Sequence, residues 1–232
     1  MTLVVSTAPL DPGTTYNISF KNDGGGTPYG ELVCFARGTL IRTPGGDVPV
    51  EDLRVGDRVV TFDHGAQPIV WRSSRAVLFP SGEDAPIEIA AHAFGPDQPY
   101  TETRVSPRHC LLRRDPSYRL LFDTPEVLMA ARDCVDGNLI TRNAAPKAIE
   151  YHHVMCPGHE IIWANGMPSE SFYPGKVARR SLDPIARAQL VALHPSLSDP
   201  EAPPPFDRCR LRVRGHAQRA AQDGRAPRIN RP

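Results

Sequence analysis

The sequence has no long unbroken apolar run, and its mean hydropathy of −0.35 excludes a transmembrane helix. It has no CxxC pair. Its five cysteines (Cys34, Cys110, Cys134, Cys156 and Cys209) are odd in number and widely spaced, which argues against a disulfide framework. The apolar stretch near Met1 has no basic segment before it, so a secretory signal is not expected. The expected compartment is therefore the cytoplasm, with non-classical export as the exception. Abundant instead are turn formers, 25 prolines and 18 glycines in 232 residues, beside a hydrophobic fraction of 40%. That fraction supports a packed core and excludes a wholly disordered or collagen-like chain.

The net charge of +1 conceals a division. Residues 176–232 carry 12 Lys and Arg against 5 Asp and Glu, net +7, whereas residues 1–175 are net −6. The basic segment is proline-rich at Glu201-Ala-Pro-Pro-Pro-Phe206 and alternates arginine from Arg208 to Arg214. One helix is predicted over 183–193, with Asp183 as its cap and Pro184 at its first position. From 196 onward no apolar periodicity survives, so 196–232 reads as a mobile tail. Its arginines are free to hold the acidic body or an anionic partner.

Between Thr39 and Gly166 the pattern changes at turn signals every few residues, which predicts an all-β domain of short strands. Strands are predicted at 38–43, 58–62, 67–72, 75–79, 86–90, 104–106, 109–112, 118–122, 138–141, 148–152 and 159–163. Thr124 to Asp133 has a threonine cap, a proline and good helix formers, so it is predicted as a short helix. A further strand is predicted at Thr15–Phe20, and the stretch Asn22 to Gly30 reads as a flexible linker.

Three separated segments carry the chemistry. The first is Cys34-Phe-Ala-Arg-Gly-Thr39, followed by Val50-Glu-Asp-Leu-Arg-Val-Gly-Asp-Arg-Val59. The second is Val105-Ser-Pro-Arg-His-Cys-Leu-Leu112 and the third runs from Tyr151 through Ala164-Asn165-Gly166 to Ser171. In this order and spacing they resemble the opening, T-x-x-H and closing blocks of the Hedgehog/intein (Hint) autoprocessing domains, closest to bacterial Hint domains that do not splice. The resemblance implies a Hint fold, horseshoe-like and all-β with one short helix. It also implies three regions: a leader at 1–33, the Hint domain at 34–175 and a basic tail at 176–232.

The resemblance further implies that Cys34 attacks the preceding carbonyl, so that the Val33–Cys34 peptide becomes a thioester by an N–S acyl shift. Attachment in cis supplies the proximity. The obstacle is amide resonance, whose rotational barrier is about 18–20 kcal/mol, and proton delivery to the departing nitrogen lowers it. His109 is the expected proton carrier, Ser106 the residue that orients the scissile peptide, and His152 a second proton carrier. Water or another nucleophile then resolves the thioester. Glu170 and Ser171 stand where a splicing intein has His and Asn, and serine cannot cyclise to a succinimide. Cleavage on the C-terminal side is therefore not expected.

The expected substrate is the chain's own N-terminal segment in cis, with no cofactor and no nucleic acid. Three rival readings remain. His152, His153, Cys156 and His159 have a spacing that zinc can use. A cysteine peptidase acting in trans would also need a Cys and a His. The third is a degenerate Hint scaffold that folds and binds but cuts nothing.

Overall fold

A computed structural model describes residues 33–78, 80, 82–143 and 147–213. The predicted strand at Thr15–Phe20 and the linker at 22–30 lie outside the described residues. The described chain is built mainly of short antiparallel strands, as the density of turn signals predicts. In order these are β1 (Phe35–Ala36), β2 (Leu40–Thr43), β3 (Gly46–Pro49), β4 (Arg58–Val60), β5 (Ala66–Pro68), β6 (Trp71–Leu78), β7 (Ile87–Ile89), β8 (Thr103–Val105) and β9 (Cys110–Arg114). They continue with β10 (Glu126–Ala130), β11 (Ile140–Arg142), β12 (Ala148–Met155), β13 (Ile161–Ala164), β14 (Met167–Glu170) and β15 (Arg212–Val213). Three helices accompany them: α1 (Tyr118–Phe122), α2 (Lys176–Ser181) and α3 (Pro184–Leu193).

One sheet runs β11-β7-β8-β1-β12-β6, a second runs β15-β10-β9-β14-β13-β2-β3, and β4 pairs β5. The main core, with Phe35, Ile41, Val59, Ile87, Leu111, Val154 and Ile162, holds side chains from both large sheets. The Val50–Val59 block serves this core and its turns. Val50, Leu53 and Val59 are buried. Glu51 accepts the Gly38 N–H at 2.8 Å and so braces the turn after β1. The Asn165-Gly166 turn joins β13 to β14 with both residues at positive φ, the geometry that two-residue hairpins favour. A Cβ on Gly166 would lie 2.5 Å from the Asp97 carbonyl oxygen, so only glycine fits. Asn165 ties this hairpin to two others, accepting from Leu40 N at 2.9 Å and donating to Thr103 Oγ1 at 2.8 Å.

Helix α3 forms where the cap signal places it: Asp183 accepts from Ala186 N at 2.9 Å, with Pro184 at the first helical position. Two other expectations are exchanged. Residues 118–122, predicted as a strand, form α1, because Asp115 accepts the Ser117 N–H at 2.8 Å and opens a helical turn. Residues 124–133, predicted as a helix, form β10 and a 3-10 turn. The cause is tertiary. Val127, Leu128, Met129 and Ala130 are buried on both faces between β9 and β15, a demand that overrides their helix propensity.

The tail is corrected as well. Residues 196–213, predicted to be mobile, lie against the body, and Leu128↔Arg212 and Met129↔Val213 pair β10 with β15 in parallel. Arg210 bonds Glu126 and Asp63 at 2.7 Å each, so acidic side chains of the body fix it. Residues 214–232 lie outside the described residues. No helix among the described residues is long and apolar enough to cross a membrane.

The exchange of elements has a measurable consequence. Leu128→Ala, in β10, is expected to cost about 2–5 kcal/mol in urea unfolding. Leu120→Ala, on the 89% exposed face of α1, is expected to cost less than about 0.5 kcal/mol. Equal losses at the two positions would contradict this assignment.

Candidate functional site

Strand β1 lies between β8 and β12, and its register with β12 pairs Phe35 with His152 and Ala36 with Tyr151. One step further along the same register, Cys34 faces His153. Side chains alternate along a strand, so His153 shares a face with Cys34 while His152 shares the opposite face with Phe35. The distances bear this out. His153 Nε2 is 3.8 Å from Cys34 Sγ, and His153 Nδ1 is 2.7 Å from the Val33 carbonyl oxygen.

A carbonyl only accepts, so Nδ1 carries the proton in this contact and Nε2 presents its lone pair to the thiol. One neutral ring therefore touches both the sulfur and the carbonyl that precedes it. Burial lowers the His153 pKa to about 4, against the Val33 carbonyl, which raises it. Trp71 stacks on the ring at 6.1 Å between centroids and Phe172 meets it edge-on at 5.2 Å, which fixes its plane.

Ser106 and His109 come from the turn after β8. Ser106 Oγ accepts the Cys34 N–H at 3.0 Å, and the Ser106 N–H is donated to the Cys34 carbonyl at 3.1 Å. The serine thus holds the nitrogen of the Val33–Cys34 peptide. His109 donates its own N–H to the Ser106 carbonyl at 3.0 Å, closing that turn. Its ring packs on Phe35 at 4.3 Å between centroids, and neither ring nitrogen has a hydrogen-bond partner among the described residues. Burial lowers its pKa to about 4, opposed by the Glu170 carboxylate and the Cys34 backbone.

Burial also raises the Cys34 pKa, against the Ser106 hydrogen bond and Arg75. Cys34 rests as a neutral thiol beside a neutral imidazole. The face that carries it is covered by Phe172, Ala178 and Leu182, then by Ala186 and Leu190 of α3.

The structure brings Cys34, Ser106 and His109 together and does not bring His152 to them. His152 Nε2 lies 3.1 Å from Glu150 Oε1 on the other face of β12. Sequence reasoning passed over His153, because parity along a strand is readable only once the register is known. The His-His pair was the signal that could have found it.

The four residues of the zinc reading do not converge. His153 is bonded to Val33, and His159 places Nε2 3.2 Å from Glu170 Oε2 and accepts the Cys209 N–H at 3.2 Å. No cluster of three or more His, Cys, Asp or Glu suited to a metal occurs among the described residues. Glu170, fully buried, accepts from Cys110 N at 2.9 Å and from Arg208 at 3.2 Å. Despite its burial its pKa is lowered to about 2 by the hydrogen bond and charge of His159, then by Arg208 and His109.

The sequence profile of a family described as "Hint domain" matches residues 33–176. Among solved structures, the gp41-1 intein is 15% identical, covering 59% of this chain and 96% of that one, with a TM-score of 0.39. A bacterial intein-like domain from Clostridium thermocellum is 11% identical, covering 61% of this chain and 99% of that one, with a TM-score of 0.36. No curated protein matches the chain.

The two buried imidazoles make stability depend on acid. Their folded pKa values near 4 lie below the unfolded value of about 6.5, so the unfolded chain binds more protons between these limits. Their contribution is complete above about pH 6.5 and is lost as pH falls through about 4. Urea midpoints are expected to fall across that window, and His109→Phe with His153→Phe is expected to flatten the slope. An unchanged slope in the double variant would contradict the assignment.

Proposed function

Because the chain belongs to the Hint domain family, whose fold is that of self-processing domains, we propose that it cuts its own Val33–Cys34 bond through a thioester. The observation that carries this reading is the single imidazole of His153 against both the Cys34 sulfur and the Val33 carbonyl oxygen. His153 Nε2 takes the thiol proton as the sulfur attacks the Val33 carbonyl carbon through a five-membered ring. The negative charge develops on the carbonyl oxygen and is stabilised by the Nδ1–H already pointed at it.

Collapse breaks the bond from carbon to the Cys34 nitrogen. That nitrogen, whose N–H Ser106 Oγ accepts, takes up the proton that His153 Nε2 received from the thiol, with neutral His109 as the relay: one ring nitrogen accepts that proton as the other gives one to the amine, and His153 returns to neutral. Overall the thiol proton ends on the freed Cys34 amine and the acyl group ends on sulfur. Water then hydrolyses the thioester, leaving a Val33 carboxylate and restoring the thiol.

The same assignment leaves the C-terminal side uncut. Glu170 is locked between His159 and Arg208, Ser171 Oγ accepts the Glu160 N–H at 2.9 Å, and the chain continues into α2. The partner in the reaction is thus the chain's own leader, and a cytoplasmic setting suits a free thiol.

Intact mass of the full chain, tagged before Met1, tests this reading. The wild type is expected to lose the tag with residues 1–33, faster with hydroxylamine or a small thiol, and Cys34→Ala is expected to stay whole. His153→Ala is expected to slow cleavage by about 10²–10⁴-fold, whereas His152→Ala changes it little. A wild type that stays intact with hydroxylamine and thiol would overturn the proposal in favour of the inert scaffold. Cleavage of an unrelated protein in trans would favour the peptidase.

A further inference from the structure

The cap of helices beyond the sheets contains a cavity that plays no part in the cleavage reading. It measures about 130 Å³ and opens between α2, α3 and the turn at 195–200. Four basic side chains line it: Lys176, Arg179 and Arg180 from α2, and Arg187 from α3. Its apolar wall is made by Leu190, Val191 and Leu197. At about 30 Å³ per water the space equals on the order of four waters, the size of a small oxyanion.

The decisive group is Arg179. It is only 5% exposed, so its guanidinium has been withdrawn from water. Nη2 donates to the carbonyls of Pro200 and Ala202 at 2.9 and 2.8 Å, while Nη1 has no hydrogen-bond partner among the described residues. A buried cation with a vacant donor is costly, and a charge-assisted partner removes that cost.

Charge around the cavity points the same way. Glu201 is shared by Lys176 at 2.8 Å and Arg180 at 2.7 Å, so one carboxylate answers two cations. Arg187 donates to the carbonyls of Arg180 and Leu182 at 3.1 and 3.4 Å. Neither Arg179 nor Arg187 has a carboxylate partner among the described residues.

We propose that this cavity binds phosphate, held by the vacant Nη1 of Arg179 and the guanidinium of Arg187, with Lys176 and Arg180 adding long-range attraction. Two guanidiniums on a space this small suit a compact tetrahedral dianion, which accepts several N–H donors at once. The phosphate is either the free ion or the head of a small phosphate monoester, whose carbon would lie along Val191 and Leu197.

Titration calorimetry on the full chain at constant ionic strength tests this, with sodium phosphate, phenyl phosphate and sodium acetate as probes. Saturable binding of phosphate is expected, at least tenfold tighter than that of acetate. Arg179→Gln is expected to weaken it at least tenfold. Arg187→Gln, on the rim, should weaken it similarly and guards against a folding defect at the buried arginine. Glu201→Gln should tighten it several-fold, by freeing two cations. Tighter binding of phenyl phosphate than of phosphate would identify a monoester as the ligand, and the reverse would identify the free ion.

Three results would overturn the proposal. One is heat no greater than with chloride at the same ionic strength. Another is acetate binding as tightly as phosphate. The third is equal phosphate affinity in the wild type and both arginine variants, the mark of an adventitious ion only. Because the readout is binding, its outcome is independent of whether Val33–Cys34 is cut.

Discussion

The site depends on one constraint, the register of β1 against β12. Pairing Phe35 with His152 sends Phe35 and Val154 into the main core, and Cys34, Tyr151 and Met155 to the face under the helices. A slip of one residue would invert both sets, bringing His152 to the thiol and burying His153 among Phe35 and its neighbours. The register is over-determined. Strand β12 pairs with β6 along eight residues, from Ala148↔Leu78 to Met155↔Trp71. On its other side β1 is fixed by Phe35↔Val105 and by the bonds that Ser106 makes to both ends of Cys34. The arrangement of the site is thus a consequence of strand pairing.

A second constraint joins the tail to that site. Glu170 is a fully buried carboxylate, and such a charge persists only where partners compensate its loss of water. His159, from the loop between β12 and β13, and the Cys110 N–H of β9 supply part of the compensation. Arg208, from beyond them, supplies the rest and lies over the Tyr173 ring at 3.9 Å. The Glu170 charge in turn raises the proton affinity of His109 against burial. The segment after the helices therefore belongs to the electrostatics around Glu170, and Arg208 and Arg210 are structural side chains.

How far the sequence was legible follows from these two constraints. The Val50–Val59 block and Ala164-Asn165-Gly166 were readable because turn residues leave a signature in the sequence itself, even though their partners, Gly38, Leu40, Thr103 and Asp97, are distant along the chain. Cys34, Ser106 and His109 were readable through the order of their blocks. His153 was not, because choosing between adjacent histidines requires knowing which face of β12 meets β1. The exchange of α1 and β10 has the same origin. Tyr118–Phe122 pairs with no strand among the described residues, and Glu126–Ala130 favours helix but lies between two strands. Arg208 and Arg210 looked mobile because their partners, Glu170, Glu126 and Asp63, are distant in sequence.

The burial of Cys34 looks at first like an argument against a nucleophile, since a desolvated thiol resists ionisation. The pairing with His153 changes that reading. Burial raises the thiol and lowers the imidazole together, so both rest neutral and neither carries a charge in the ground state. A cationic His153 would have no lone pair for the sulfur, and a free thiolate would be costly in this setting. In the proposed reaction, charge would be created only when the proton passes to Nε2 and the electrons reach the Val33 oxygen, and the new cation and oxyanion would then share the 2.7 Å contact already present. The low polarity that penalises either ion alone strengthens the pair. On that proposal the helices over this face, together with Phe172 and Trp71, would serve the same end as the register: they would make this charge separation cheaper than either ion alone.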